Sequence, residues 1–202
     1  MAKKSFNAAQ LQDLVLQMME TELGGEQVYL TALQCAQNAD LKKEWQEYLE
    51  ETRVHQRVVR ALCEALGIDA NAQTPSRKVV KHLGESLVQA MQLALKEGSP
   101  TAAELAACEC VVLAETKDHA NWELLGQVAQ AATGATAKAL QDAYDKVQQD
   151  EQHHLYHTMG WCRELWIQSL GLPAVLPPPE EVKQVETAIG ASRAQQQRSA
   201  ML

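Results

Sequence analysis

Apolar residues recur at spacings of three and four along most of the 202-residue chain, the period of helices with one face turned to a core. The first stripe is Leu11, Val15, Met18, Glu22, Glu26, Tyr29 and Leu33, which predicts a helix from about residue 7 to 37. After the turn Asn38-Ala39-Asp40, a second helix over about 41–66 has the stripe Leu41, Trp45, Tyr48, Thr52, His55, Val59, Leu62 and Leu66, and Gly67 ends it. A shorter helix over about 77–96 carries Val80, Leu83, Leu87, Met91 and Ala94, with His82 on its surface, and reads as a connector. The third long helix, about 101–132, has Leu105, Cys108, Val112, Glu115, His119, Trp122, Gly126 and Ala129. The fourth, about 137–170, has Leu140, Tyr144, Val147, Glu151, His154, Thr158, Trp161 and Leu165, and Gly171 and Pro173 stop it.

This pattern predicts an all-α bundle over residues 1–171, followed by a tail over 172–202. Pro177-Pro178-Pro179 makes the start of the tail an extended linker. Residues 180 to about 194 could form a short, weakly amphipathic helix, and Gln195 to Leu202 is expected to fray. The tail reads as either an oligomer contact or a disordered segment, and the simplest assembly is a homodimer.

Composition narrows the function. Ala, Leu, Gln and Glu dominate, and a single Phe and four Tyr leave little material for strands. A net charge of −8 argues against a nucleic-acid partner, which requires clustered Lys and Arg. No apolar run approaches the roughly 18 residues of a membrane span. Met1-Ala2-Lys3-Lys4-Ser5 is too short and polar for a targeting segment. The five cysteines (35, 63, 108, 110 and 162) include no CxxC pair, so reduced thiols and a cytoplasmic location are expected.

Polar residues interrupt the apolar stripe in the middle of every long helix. Glu22 and Glu26 lie in the first, and His55 in the second with Glu51 beside the stripe. Glu115 and His119 lie in the third, and Glu151 and His154 in the fourth. Glu151 and His154 are three apart, so both project from one helix face, one of the ways a bundle offers a carboxylate and an imidazole to a metal. Converging buried carboxylates repel unless cations lie among them, and a carboxylate–imidazole set suits iron or manganese. His153 and His157 lie off the centre of the stripe and read as peripheral.

The two halves also repeat. Glu22 is followed seven residues on by Tyr29, and Glu115 seven on by Trp122; Glu26 corresponds to His119. His55 follows Glu22 by 33 residues, and His154 follows Glu115 by 39.

On these residues, over about 8–170, the chain resembles the ferritin-like superfamily of the bacterioferritin and rubrerythrin type. In that family the first and third helices each give a Glu, and the second and fourth each give Glu-x-x-His. The matching positions are Glu22, His55, Glu115, Glu151 and His154, and the segment Glu22-Leu23-Gly24-Gly25-Glu26-Gln27-Val28-Tyr29 also looks like the family. The resemblance implies a four-helix bundle with a left-handed crossover and a di-iron, or iron–manganese, carboxylate site. The implied partners are metal ions and oxygen or peroxide, and the implied activity is that of a ferroxidase or peroxidase-like oxidoreductase. Tyr29 would then hydrogen-bond a ligand or carry electrons.

One position departs from the family. The second helix's Glu falls on Thr52, which is short and neutral. Glu26, Glu51 or His119 could compensate as additional or supporting ligands. The site could instead hold one metal, or persist as a metal-free polar network in a binding or structural protein. A helical oxidase or hydroxylase acting on an organic substrate is a further reading.

Overall fold

The computed structural model describes residues 6–202. The reading of the first five residues as too polar for targeting lies outside them. The described residues contain seven α-helices and no strand. These are α1 (Ala8–Cys35), α2 (Ala39–Leu66), α3 (Pro75–Glu97), α4 (Pro100–Ala131), α5 (Gly134–Ser169), α6 (Pro179–Val182) and α7 (Ala188–Gln196), with a 3-10 turn at Arg198–Ala200.

Local chemistry sets most of the boundaries. Asn7 and Asn38 each accept two backbone N–H groups at the starts of α1 and α2. Thr74 and Ser99 cap α3 and α4, with Pro75 and Pro100 in the first turn, where a missing N–H costs nothing. Gly67 ends α2 at φ +69°, a left-handed conformation that favours glycine. The fourth long helix begins at Gly134 instead of near Ala137, because the expected turn of Thr133 to Thr136 is taken into its first turn.

The four long helices pack as a ring: α1 contacts α2 and α4, and α5 contacts α2 and α4. Each neighbouring pair is antiparallel, as its cross-links show. Glu26 meets Arg53 and Glu22 meets Gln56 between α1 and α2. Tyr29 meets Glu115 and Thr21 meets Asn121 between α1 and α4. His55 meets Asp150 and Glu44 meets Trp161 between α2 and α5. Because α2 and α4 therefore run in the same direction, the chain must travel the length of the bundle between them, and α3 makes that journey across α1 and α4. Gly24 and Gly84 let α3 come close: a Cβ on Gly84 would sit 3.6 Å from the Cα of Gly24.

Two apolar clusters fill the interior, one around Trp45, Tyr29, Met91 and Trp161, the other around Val15, Met18, Leu125 and Leu140. Glu22, His55, Glu115, Glu151 and His154 are buried together with Thr52 in the middle of the bundle. The chain's five cysteines are free, and four are buried. No described helix is long and apolar enough to cross a membrane.

The tail does not stand away from the bundle. Arg163 of α5 grips Glu180 with two parallel hydrogen bonds of 2.8 Å. Glu164, fully buried, accepts from the Val175 amide at 2.8 Å and from Arg198. Val175, Val185 and Ala194 are buried apolar residues of this docked tail, which forms a strap. The helix expected over residues 180–194 is split into α6 and α7 by the segment between Lys183 and Thr187. Residues expected to fray after Ala194 continue α7 to Gln196 and add a 3-10 turn.

Candidate metal centre

Glu22, His55, Glu115, Glu151 and His154 meet in the middle layer, each at most 4 % exposed. They come together because each sits on the inward stripe of its helix at the same depth. His55 Nδ1 lies 3.1 Å from Glu151 Oε1 and 3.7 Å from Glu22 Oε2. His154 Nδ1 lies 3.5 Å from Glu115 Oε2 and 3.8 Å from Glu151 Oε1. Despite these short separations, Glu22 Oε2, His55 Nδ1, Glu115 Oε2 and both Glu151 oxygens make no hydrogen bond. These atoms approach one another without hydrogen-bond alignment.

The outward atoms, in contrast, are held. His55 Nε2–H donates to Asp150 Oδ2 at 3.1 Å, and His154 Nε2–H donates to Glu51 Oε2 at 2.8 Å. Each restraining carboxylate belongs to the opposite helix and stands one residue before the acid position of its own motif: Glu51 precedes Thr52 on α2, and Asp150 precedes Glu151 on α5. The same exchange occurs between α1 and α4. Tyr29 Oη donates to Glu115 Oε1 at 2.8 Å, and Trp122 Nε1 donates to Glu22 Oε1 at 3.0 Å. The sequence repeat is thus expressed as approximate two-fold symmetry in which each half orients the other half's ligand candidates. A carboxylate on Nε2 fixes the ring and turns Nδ1 inward, the support that metal-bound histidines ordinarily receive.

Three residues named from the sequence do not face this centre. Glu26 turns to the α1–α2 surface, where Arg53 and Gln56 hold it at 2.9 and 2.8 Å. His119 packs edge-on to Tyr156, with ring centroids 5.9 Å apart. Thr52 is buried but spends its hydroxyl on the Tyr48 carbonyl of its own helix, at 2.8 Å. Glu51 reaches the site only through His154.

A sixth residue does face it. Asp118, 6 % exposed, joins Glu22 and Glu151 in a set whose oxygens lie within 4.8 Å of one another, and its Oδ1 has no partner. His55, Glu151 and His154 form a second such set, so Glu151 belongs to both. Asp118 stands three residues after Glu115, and its counterpart in the first half is Gly25, whose absent side chain leaves room beside Thr52. The carboxylate absent at position 52 is therefore matched in number by one on α4, on the far side of the centre. The i, i+3 spacing from Glu115 was available in the sequence, but Asp118 lies between the stripe positions Glu115 and His119 and is not set apart by periodicity.

Electrostatics describes a cluster under tension. Burial, then the charges of Asp118 and Glu151, push Glu22 well above the usual carboxyl range. Burial, Glu151 and Glu115 do the same to Asp118. Burial opposes a charge on His154, but the neighbouring carboxylates of Glu115, Glu51 and Glu151 outweigh it and raise the imidazole well above 6.5. In the bare chain, protons on these groups offset charges that a cation would otherwise balance. The donors present, four carboxylates and two imidazoles with several unpartnered buried atoms, could hold a hard to borderline divalent cation.

The chain matches no known family model, no curated protein and no solved structure.

Proposed function

We propose that the chain is a ferritin-like metalloprotein that holds two iron or manganese ions and uses them for redox chemistry with oxygen or peroxide. Glu22, His55, Glu115, Asp118, Glu151 and His154 would hold the ions, and Glu151 belongs to both donor sets. The observation that carries this reading is the pair of imidazoles whose Nε2 atoms are fixed by carboxylates while unpartnered acid oxygens converge on the Nδ1 side. The repeat, the long connection between α2 and α4 and the ring of antiparallel helices suit the ferritin-like arrangement that the motifs resemble.

Iron or manganese bound here would supply one-electron redox steps, which none of the chain's own ligand side chains provides. The protein's part is positional. Asp150 and Glu51 keep both imidazole rings turned, and Tyr29 and Trp122 fix one oxygen each of Glu115 and Glu22, leaving the other free. The apolar clusters above and below exclude water from the layer. Asp150 and Glu51 remain 34 % and 40 % exposed at the side chain, so the α2–α5 face is where solvent and small reactants come closest. Glu22 and Asp118, both raised by burial and by neighbouring carboxylates, would give up their protons in order to hold a cation.

Anaerobic reconstitution with Fe(II) tests the reading by difference. Wild type should retain about two equivalents more than Glu115→Gln/Glu151→Gln, and it alone should gain several degrees in melting temperature from the metal. No difference in bound iron between the two proteins, with no metal-dependent shift in melting, overturns it.

A further inference from the structure

One turn beyond His154, α5 presents His157, which is 2 % exposed. Its Nε2–H donates to the Val185 carbonyl of the tail at 3.1 Å. Its Nδ1 lies 2.7 Å from Glu181 Oε2 of α6, 3.3 Å from Tyr48 Oη and 4.0 Å from Glu44 Oε1 of α2. The three donor atoms lie within 4.8 Å of one another. A first-row cation with bonds of about 2.0–2.2 Å takes donors roughly 3–4 Å apart, which this set can meet.

The surroundings are built for such a role. Glu44 is held from both sides, Oε1 by Tyr48 Oη at 2.7 Å and Oε2 by Trp161 Nε1 at 2.6 Å. Burial, then the charge of Glu181, push Glu44 up to about 7. Glu181 Oε2 is buried and has no hydrogen-bond partner. The backbone carbonyl on Nε2 fixes the ring with Nδ1 toward both acids. At the mouth, His153 stacks on His157 with centroids 4.9 Å apart and reaches Glu186 at 3.5 Å.

We propose that Glu44, His157 and Glu181 form an outer site for a divalent first-row transition cation, and that a cation there ties the C-terminal strap to the bundle. The ligands come from α2, α5 and α6, so the site exists only while the strap is docked, and binding and docking are one equilibrium. The imidazole excludes magnesium and calcium as the preferred ions. The outer site adjoins the central layer through Tyr48, whose ring centroid is 4.2 Å from that of His154, but it does not require a metal there.

Co(II) titration of the full chain, followed by its visible absorption, decides the matter. In the Glu115→Gln/Glu151→Gln background about one equivalent should still bind, and at ten times its Kd cobalt should slow tryptic cleavage after Lys183 by about tenfold. Adding Glu181→Gln, a conservative change at a partly exposed position, should abolish both effects. His157→Gln should do the same. Absence of cobalt from the central-site variant, where that protein keeps its helical circular dichroism, overturns the outer site and leaves the central one standing. Binding that survives in both Glu181→Gln and His157→Gln also overturns it. If the central-site variant does not fold, Glu181→Gln in the wild-type background must lose about one equivalent, and retention of the wild-type stoichiometry is the refuting result. Equal cobalt in wild type and the central-site variant would instead sink the central reading while the outer site held.

Discussion

Asp118 has the most consequential side chain in the middle layer that periodicity did not pick out. It adds a fourth carboxylate to a buried set, raising the repulsion in the bare chain and the donor number available to a cation. Asp118→Asn should therefore act in opposite directions on the two states. The metal-free protein should melt about 2–5 °C higher, while Fe(II) retained after desalting should fall. Calorimetry with and without metal checks this; a lower melting temperature without metal would show that Asp118 is a stabilising acid and not a strained one. Trp122 offers a second test at this scale. Its Nε1 serves Glu22, whereas Nε1 of the equally buried Trp45 has no partner. Trp122→Phe should cost about 1–3 kcal/mol more than Trp45→Phe in denaturant unfolding, because it strands a buried carboxylate oxygen. It should also weaken metal binding by roughly 10-fold or more.

Elements meet where small residues permit it. A Cβ on Gly126 of α4 would lie 2.9 Å from the Tyr144 ring of α5, and one on Gly160 would lie 2.6 Å from Glu180 Oε2 and 3.0 Å from Pro178 Cβ. The second contact is the seat of the strap. Gly160→Ala should push α6 off α5 while leaving the four long helices in place. The expected result is faster hydrogen exchange over about residues 175–200, with unchanged protection in α1 and α2. Strap protection equal to wild type would mean that Glu180 and Pro178 yield without undocking. The periodic stripes located the five principal helices to within a few residues, because helical spacing and the capping of four of them by Asn7, Asn38, Thr74 and Ser99 are local. They said nothing of the strap's docking, which depends on Arg163, Glu164 and His157 finding partners 11 to 34 residues away.

At the scale of the whole molecule, acid should loosen the strap before the bundle. Burial would raise Glu164, but hydrogen bonds from Arg198, the Val175 amide and Arg163 outweigh it and hold the carboxyl below 4.5. A depressed acid contributes stability that is complete above its unfolded value and is lost as pH falls through the folded one. Glu181 is likewise held down, chiefly by His157. Between about pH 5 and 3, exchange in the strap, corrected for intrinsic rates, should rise before the far-UV circular dichroism of the bundle changes. Simultaneous loss of both signals would show that strap and bundle unfold as one unit.

The helices, their order and the residues Glu22, His55, Glu115, Glu151 and His154 were legible because they follow from spacing along one helix, and 3.6 residues per turn converts spacing into a shared face. Even the exchange between halves was latent in the repeat of an aromatic residue seven positions after each acid. Three outcomes depended on how helices cross: Asp118 in the centre, Glu26 and His119 away from it, and His157 deep beside Glu44 and Glu181. A side chain near the edge of an apolar stripe faces the core or the surface according to the neighbour laid against it, and that neighbour, for His157, is a segment more than twenty residues further along the chain. Local periodicity determined which groups the bundle could bring inward; only the packing of α2, α4, α5 and the strap decided which of them meet.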